Sequence, residues 1–526
     1  MTNVVQEAVE RLEAEMVVSR IWAKDHTLWA DSPTEISDRL GWLDITDAMR
    51  SEVGALTRFA HRVRDEGIRH IVLLGMGGSS LGTEVMRQCF GRRKGWPELV
   101  VLDSTLPAQI RRVSDSVDMG RTLFVVSSKS GTTAEPNLLY RYFRELVQEV
   151  GGDGGRFVTI TDPGTPLEDL AKCEGFRKTF LNPPDVCGRY SVLSYFGLVP
   201  AALAGYDVPV ILDSADEMRA RCAAGVATHL NAGACLGATI ASLAQSGHDK
   251  LTLFTSPTLD SFGLWAEQLI AESLGKDGLG IVPVASEPLG EASLYGNDRQ
   301  FAYLKLAGED SEADALAVEL EQAGHPVIRH ELDDLRALGG EFYRWQFAVA
   351  TAAALIGVHP FNQPDVERAK ILTRQALETS GSNTGVASPS SEDSLAGLLS
   401  STKSGDYLAI LAYMPQTPEN DDALSRLRSK ILRKYRVPTT LGYGPRYLHS
   451  TGQLHKGGPD SVTALMIVSP HGEDVEIPGE NFTFGALADA QAAADLRVLK
   501  DAGRRTEYIK LGNQLSKSVD SLTRAL

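Results

Sequence analysis

From about residue 68 this chain repeats one local pattern: a short apolar run, a turn rich in glycine and hydroxyl residues, then a segment with helical spacing. Apolar runs near 70–75, 98–102, 122–127 and 156–161 read as strands, and 80–90, 107–115, 134–149 and 166–172 as the helices that follow them. Strands alternating with helices in this way pair in parallel and are covered by helices on both faces. Segment 189–204 reads as a buried helix. The rhythm resumes near 210, with helix 226–246, strand 250–255, helix 261–274, strands 279–284, 301–306 and 326–330, and helix 341–356. Strand 407–412, helix 421–435, strand 462–468 and a pair of C-terminal helices close the chain. Residues 376–404, rich in Ser, Gly, Thr and Asn, read as a mobile loop or linker.

The expected fold class is therefore α/β: two doubly wound parallel-sheet domains, each three-layered, with helical N- and C-terminal extensions. The first domain is placed at 51–208 and the second at 209–480, interrupted by 376–404. Helical segments 1–50, spaced through Val5, Val9, Leu12 and Met16, and 481–526 flank them. A length of 526 residues suffices for two or three domains with ample cores. In open parallel sheets, ligands sit beyond the carboxyl ends of the strands.

Composition excludes several classes of function. A net charge of −16 offers no broad basic surface, so no nucleic-acid partner is expected. The short basic stretch from Arg426 to Arg436 reads as a solvated helix face. The cysteines (Cys89, Cys173, Cys187, Cys222, Cys235) are scattered without a C-x-x-C pair, as expected of reduced thiols in a cytoplasmic protein. The N-terminus is an acidic amphipathic helix without the basic start and apolar core of a signal peptide. No stretch of about 18 apolar residues occurs, so no membrane span is expected. His325 and His330 flank a strand and no carboxylate cluster has ligand spacing, so no metal is expected.

Two turns carry the chemistry. The strand from Leu123 to Val126 runs into Ser127-Ser128-Lys129-Ser130-Gly131-Thr132-Thr133-Ala134-Glu135, five hydroxyls and one lysine where a helix should begin. Hydroxyls, free backbone N–H groups and a helix N-terminus together favour a dianionic phosphate, and one N-cap needs far fewer. Gly75-Met76-Gly77-Gly78-Ser79-Ser80-Leu81-Gly82 follows the first strand, where glycines let a ligand approach the backbone. A dinucleotide fold competes for this turn: Gly75-x-Gly77 fits its start and Asp103 stands where a ribose-binding acid would, although Ser80 replaces the third glycine. Two such loops at neighbouring strand ends suit a phosphate monoester better.

Together these loops resemble the sugar isomerase (SIS) domain, and further motifs resemble the glucose-6-phosphate isomerase family. Asp185-Val186-Cys187-Gly188-Arg189-Tyr190-Ser191-Val192-Leu193-Ser194 looks like the signature around its active-site arginine, with Cys187 in place of a glycine. Ala271-Glu272-Ser273-Leu274-Gly275-Lys276-Asp277-Gly278 resembles the Glu-Ser-x-Gly-Lys segment. Pro360-Phe361-Asn362-Gln363-Pro364-Asp365-Val366-Glu367-Arg368-Ala369-Lys370 resembles Pro-Phe-Asp-Gln-x-Gly-Val-Glu-x-x-Lys. The family's Gly-x-Asn-Gly-Gln-His segment should follow the glutamate by a few tens of residues, yet 294–300 holds no histidine. Gly444-Pro445-Arg446-Tyr447-Leu448-His449, followed by Gln453-Leu454-His455-Lys456-Gly457, looks like that segment relocated downstream. The layout resembles the isomerase half of transaldolase–glucose-6-phosphate isomerase fusions. About 50 residues precede the first domain, whereas a transaldolase barrel needs over about 200.

The resemblance implies an isomerase that interconverts glucose 6-phosphate and fructose 6-phosphate through a cis-enediol, with no cofactor. Glu272 would be the base, Arg189 the cation beside the enediolate, Lys370 a contact near the ring oxygen and Gln363 a substrate-binding amide. His449 would open the sugar ring, with His455 as a rival. Gly78, Ser79, Ser128, Lys129, Ser130 and Thr133 would contact the sugar phosphate, with Ser128, Ser130 and Thr133 holding the phosphate. A homodimer with the site near the subunit interface is also implied. Two other classes compete: a non-catalytic SIS-type sugar-phosphate-binding protein and a nicotinamide-dependent dehydrogenase.

Overall fold

The structure, a computed structural model, describes residues 3–378 and 393–526. Three wholly parallel sheets form along the chain. The first holds β1 (His70–Gly75), β2 (Glu98–Leu102), β3 (Thr122–Ser127), β4 (Phe157–Thr161) and β5 (Lys178–Leu181), in the order β2-β1-β3-β4-β5. The second holds β6 (Lys250–Thr255), β7 (Val282–Ala285), β8 (Arg299–Leu306) and β9 (Val327–Leu332), ordered β7-β6-β8-β9. The third holds β10 (Tyr407–Tyr413), β11 (Thr439–Tyr443), β12 (Val462–Val468) and β13 (Arg505–Lys510), ordered β11-β10-β12-β13. All three place their first strand between the second and third. The chain reverses its winding there, and such a switch point opens a crevice at the strand carboxyl ends. In the first sheet that point lies between β1 and β3, whose paired ends Gly75 and Ser127 begin the two loops singled out above.

The central strands are apolar throughout because helices bury both faces: Ile71–Leu74 and Leu123–Val126 are fully buried. Two expectations change. The stretch 209–526 carries two four-stranded sheets, because the segment between the C-terminal helices Phe484–Asp501 and Leu515–Ala525 is β13, paired to β12. Edges β7 and β11 approach without forming a ladder. Arg428 fills that seam, donating to Ala285 O at 3.0 Å, Ser286 O at 2.7 Å and Thr439 O at 2.7 Å. The helix expected over 189–204 divides into a 3₁₀ turn, Gly188–Tyr190, and a helix, Tyr195–Leu203. Ser191 Oγ bonds back to Gly188 O at 2.7 Å and Ser194 caps the helix through Phe196 N at 3.4 Å, so hydroxyl groups compete with helical backbone bonding between the two. Of the linker expected over 376–404, residues 379–392 lie outside the described residues, and Asp393–Ser400 is helical.

The helix Phe262–Leu274 is buried all round and packs against the first and third sheets' surroundings as well as its own, which makes it the hub that carries Gln268 and Glu272. Trp42 anchors the turn bearing Arg189: its ring lies 5.0 Å from Tyr190, which in turn lies 5.4 Å from Phe361.

Candidate active site

A cleft of about 1400 Å³ opens at the carboxyl ends of β1 and β3. Of the residues singled out in sequence, Gly78, Ser79, Lys129, Ser130, Thr133, Arg189, Glu272, Gln363, Lys370 and His449 line it. Ser128 does not: it is buried, and its hydroxyl donates to Thr133 Oγ1 at 3.1 Å. Thr133 sits at the N-cap of helix Ala134–Glu149 without capping it through its side chain, which leaves the first helical N–H groups open toward an anion. Gly131, with φ at +67°, turns the loop so that Ser130 faces the cleft. The Lys129 ammonium is already held by Asp162 and by Pro184 O. Burial pushes the Asp162 carboxyl above its ordinary pKa against the pull of Lys129. The glycines after β1 serve close packing as much as ligand approach. A Cβ at Gly78 would overlap the Gly188 carbonyl, and one at Gly77 the His449 carbonyl.

The deepest feature is an ion pair. Arg189 Nε donates to Glu272 Oε2 at 2.9 Å, with both side chains under a tenth exposed. The guanidinium is fixed by Pro360 O at 2.8 Å, Asn362 O at 3.2 Å and Gln363 Oε1 at 3.1 Å. Burial works against the Arg189 charge, but Glu272, with Cys187 and Tyr190 beside it, outweighs that and raises the arginine's pKa. Glu272 Oε2 also receives Gln268 Nε2 at 3.3 Å, while Oε1 carries no hydrogen bond among the described residues. Buried Lys276 pins the 359–363 loop through Asn362 O at 2.7 Å and His359 O, and burial pushes its pKa down to about 6.

Across the cleft, His449 lies on the 3₁₀ turn Arg446–His449, and its Nε2 meets Glu135 Oε1 at 3.0 Å. Burial alone would push Glu135 up, but the charge and hydrogen bond of His449 hold it below the usual carboxylate range. Gln268 Nε2 also donates to His449 O at 2.8 Å, linking the two carboxylate systems. His455 is excluded from the cleft. It is buried, bonds Tyr407 OH at 2.9 Å, and burial lowers its pKa to about 3. Arg446 grips Asp103 with two bonds, at 2.7 and 2.8 Å. The acid that would bind a ribose in a dinucleotide fold is therefore engaged in holding the histidine turn.

Sequence reasoning passed over Glu135, Gln268, Gln491 and Lys456, which also line the cleft. Gln268 was within reach, one helical turn before Glu272 on the same face, and Glu135 closes the hydroxyl run itself. Gln491 carries no local signal. Lys370 lines the cleft but is half exposed and paired to Glu367 at 2.6 Å. Among the described residues no group of three or more His, Cys, Asp or Glu is placed to hold a metal ion, and no helix is long and apolar enough to cross a membrane.

The sheet order and the switch-point cleft define an α/β protein of the sugar-isomerase fold. Two solved structures share it, each with a TM-score of 0.61. A glucose-6-phosphate isomerase from Chlamydia trachomatis is 18% identical, over 71% of this chain and 86% of that one. A protein of Thermus thermophilus described as hypothetical is 25% identical, over 72% of this chain and 97% of its own. The phosphoglucose isomerase family model matches residues 46–277. The glucose-6-phosphate isomerase of Rubrobacter xylanophilus is 31% identical over 416 residues, 69% of this chain and 93% of that protein. That of Staphylococcus saprophyticus is 29% identical over 398 residues, 65% of this chain and 88% of its own length. The chain belongs to the glucose-6-phosphate isomerase family. The family-model match ends before β10, so His449 and Gln491 lie outside it.

Proposed function

We propose that the chain interconverts glucose 6-phosphate and fructose 6-phosphate through a cis-enediol, with the residues of the cleft in separate roles. Ser130, Thr133 and the open N-terminus of helix Ala134–Glu149 receive the phosphate, Ser128 orients Thr133, and Gly78, Ser79 and Lys129 border the sugar phosphate. His449 passes a proton to or from the ring oxygen to open the sugar, and Lys370 reaches the same end from the rim. Glu272 then moves the proton between C2 and C1. Its Oε2 is occupied by Arg189 and Gln268, which leaves Oε1 to face the carbon acid. Removing the C2 proton builds negative charge on the enediolate oxygens, and the permanently charged Arg189 stands beside that charge. Gln363, whose oxygen is taken by Arg189, keeps its amide N–H groups for a sugar hydroxyl.

The observation that carries this reading is the buried Glu272–Arg189 pair with one carboxylate oxygen unclaimed, in the same cleft as the hydroxyl loop. A coupled assay on fructose 6-phosphate, with solvent deuterium followed into C2 of the product, tests it. Turnover with exchange is the expected result, and binding without turnover overturns it. The reading includes a cytoplasmic homodimer and no nucleic-acid partner. A single-chain mass by light scattering would remove the dimer.

A further inference from the structure

One oxygen of Glu135 serves two donors. Oε1 accepts from His449 Nε2 at 3.0 Å and from Gln491 Nε2 at 2.8 Å. Gln491 is buried, projects from helix Phe484–Asp501 and borders the cleft. Its own oxygen accepts from Thr105 Oγ1 at 3.1 Å, just beyond β2. A line of hydrogen bonds thus runs Thr105–Gln491–Glu135–His449, entirely between groups far apart in sequence. Its polarity is set at one end. The Glu135 carboxylate can only accept, so the Gln491 NH₂ group faces it and the amide oxygen is left to receive the Thr105 hydroxyl. A carboxylate buried beside one imidazole could still swing about its last bond and carry its oxygen off the line of the ring. The second donor removes that freedom.

We propose that Gln491 is a positioning residue for ring opening, holding the Glu135 carboxylate so that its Oε1 keeps His449 aimed at the ring oxygen of the substrate. Gln491 acts through Glu135 and leaves the Glu272 proton transfer untouched. The inference rests on the reading of His449 as the ring-opening group.

The test compares initial ketose-to-aldose rates of the full chain on fructose 6-phosphate with those on 5-deoxyfructose 6-phosphate, which lacks the hydroxyl that closes the ring. Losing a hydrogen bond to a charged group costs Gln491→Leu about tenfold or more in kcat on fructose 6-phosphate. The loss on the 5-deoxy sugar stays within about twofold, because that substrate needs no ring opening. Thr105→Val, which removes the donor that anchors the amide oxygen, shows a smaller loss of the same kind and serves if Gln491→Leu melts early. Equal losses on both substrates, or none on fructose 6-phosphate, overturn the proposal. His449→Ala in the same assay keeps the two readings apart. If it too loses equally on both, the ring-opening role of His449 is what fails. If it discriminates and the Gln491 and Thr105 variants do not, only the positioning role fails.

Discussion

Two buried carboxylates line the cleft, each bonded to a nitrogen-bearing side chain at nearly the same distance: Glu272 to Arg189 at 2.9 Å and Glu135 to His449 at 3.0 Å. Their partners make them different devices. Arg189 is 3% exposed, cannot lose its charge, and is tied to three further oxygens of the 360–363 loop. His449 is 19% exposed and sits on a short 3₁₀ turn. The oxygens differ as well. Glu272 keeps Oε1 clear, whereas Glu135 has two donors on Oε1. A fixed charge beside a free oxygen suits a base working next to a developing oxyanion. An imidazole on a braced carboxylate suits a group that only passes a proton. In the proposed reaction one pair is the reactant and the other its support.

The contrast can be broken by experiment. Glu272→Gln should slow C2 exchange by about 10²–10⁴-fold, the range for a positioned general base, while sugar-phosphate binding persists. Exchange at the wild-type rate would remove Glu272 from the chemistry. His449→Ala should cost about 10²-fold on fructose 6-phosphate, at the lower end of the same range, and little on the 5-deoxy sugar. A loss shared by both substrates would make His449 structural.

The pH dependence of stability sharpens the difference between the two histidines. His455 has a folded pKa of about 3 against 6.5 unfolded, so between those values the unfolded chain binds the proton first. Stability therefore falls as pH drops from about 6.5 toward 3, and His455→Phe should flatten that slope in denaturant titrations. Glu135 acts lower on the scale. Its folded pKa is depressed, so its contribution is present above the ordinary value of 4.5 and is lost as pH falls through the folded value. Glu135→Gln should remove only that acid-side loss. The smallest effect belongs to Lys370→Met. Its pair with Glu367 is exposed, so melting should shift by less than about 0.5 kcal/mol. Turnover should nevertheless drop, and unchanged kcat/KM would take Lys370 out of the site.

Legibility followed how local each signal was. Strands β1 and β3 hold continuous apolar runs, and β4, β6 and β12 runs broken only by a β-branched threonine, so all could be read directly. The strands passed over, β5, β11 and β13, each end a sheet. β5 is four residues long and half open to solvent, and β13 reads Arg-Thr-Glu-Tyr-Ile-Lys with one buried position, so neither shows the apolar run that marks a central strand. The motifs located Arg189, Glu272 and His449, but not the state of their neighbours. Ser128 turns inward to Thr133 within its own loop, and Lys129 is claimed by Asp162, which follows the neighbouring strand β4. Glu135 lies 314 residues from His449, and Gln491 lies 356 residues from Glu135, beyond the reach of any spacing rule.

By itself the sequence determined the strand–turn–helix unit, its parallel pairing and the hydroxyl loop at a strand end, because the alternation of apolar and turn residues acts over a few positions at a time. Only the tertiary structure decided which histidine enters the cleft and which oxygen of each carboxylate stays free. Those choices depend on how the third sheet seats against the first through Arg446 and Asp103, and a hydrogen bond forms only between atoms that packing has already brought within about 3 Å.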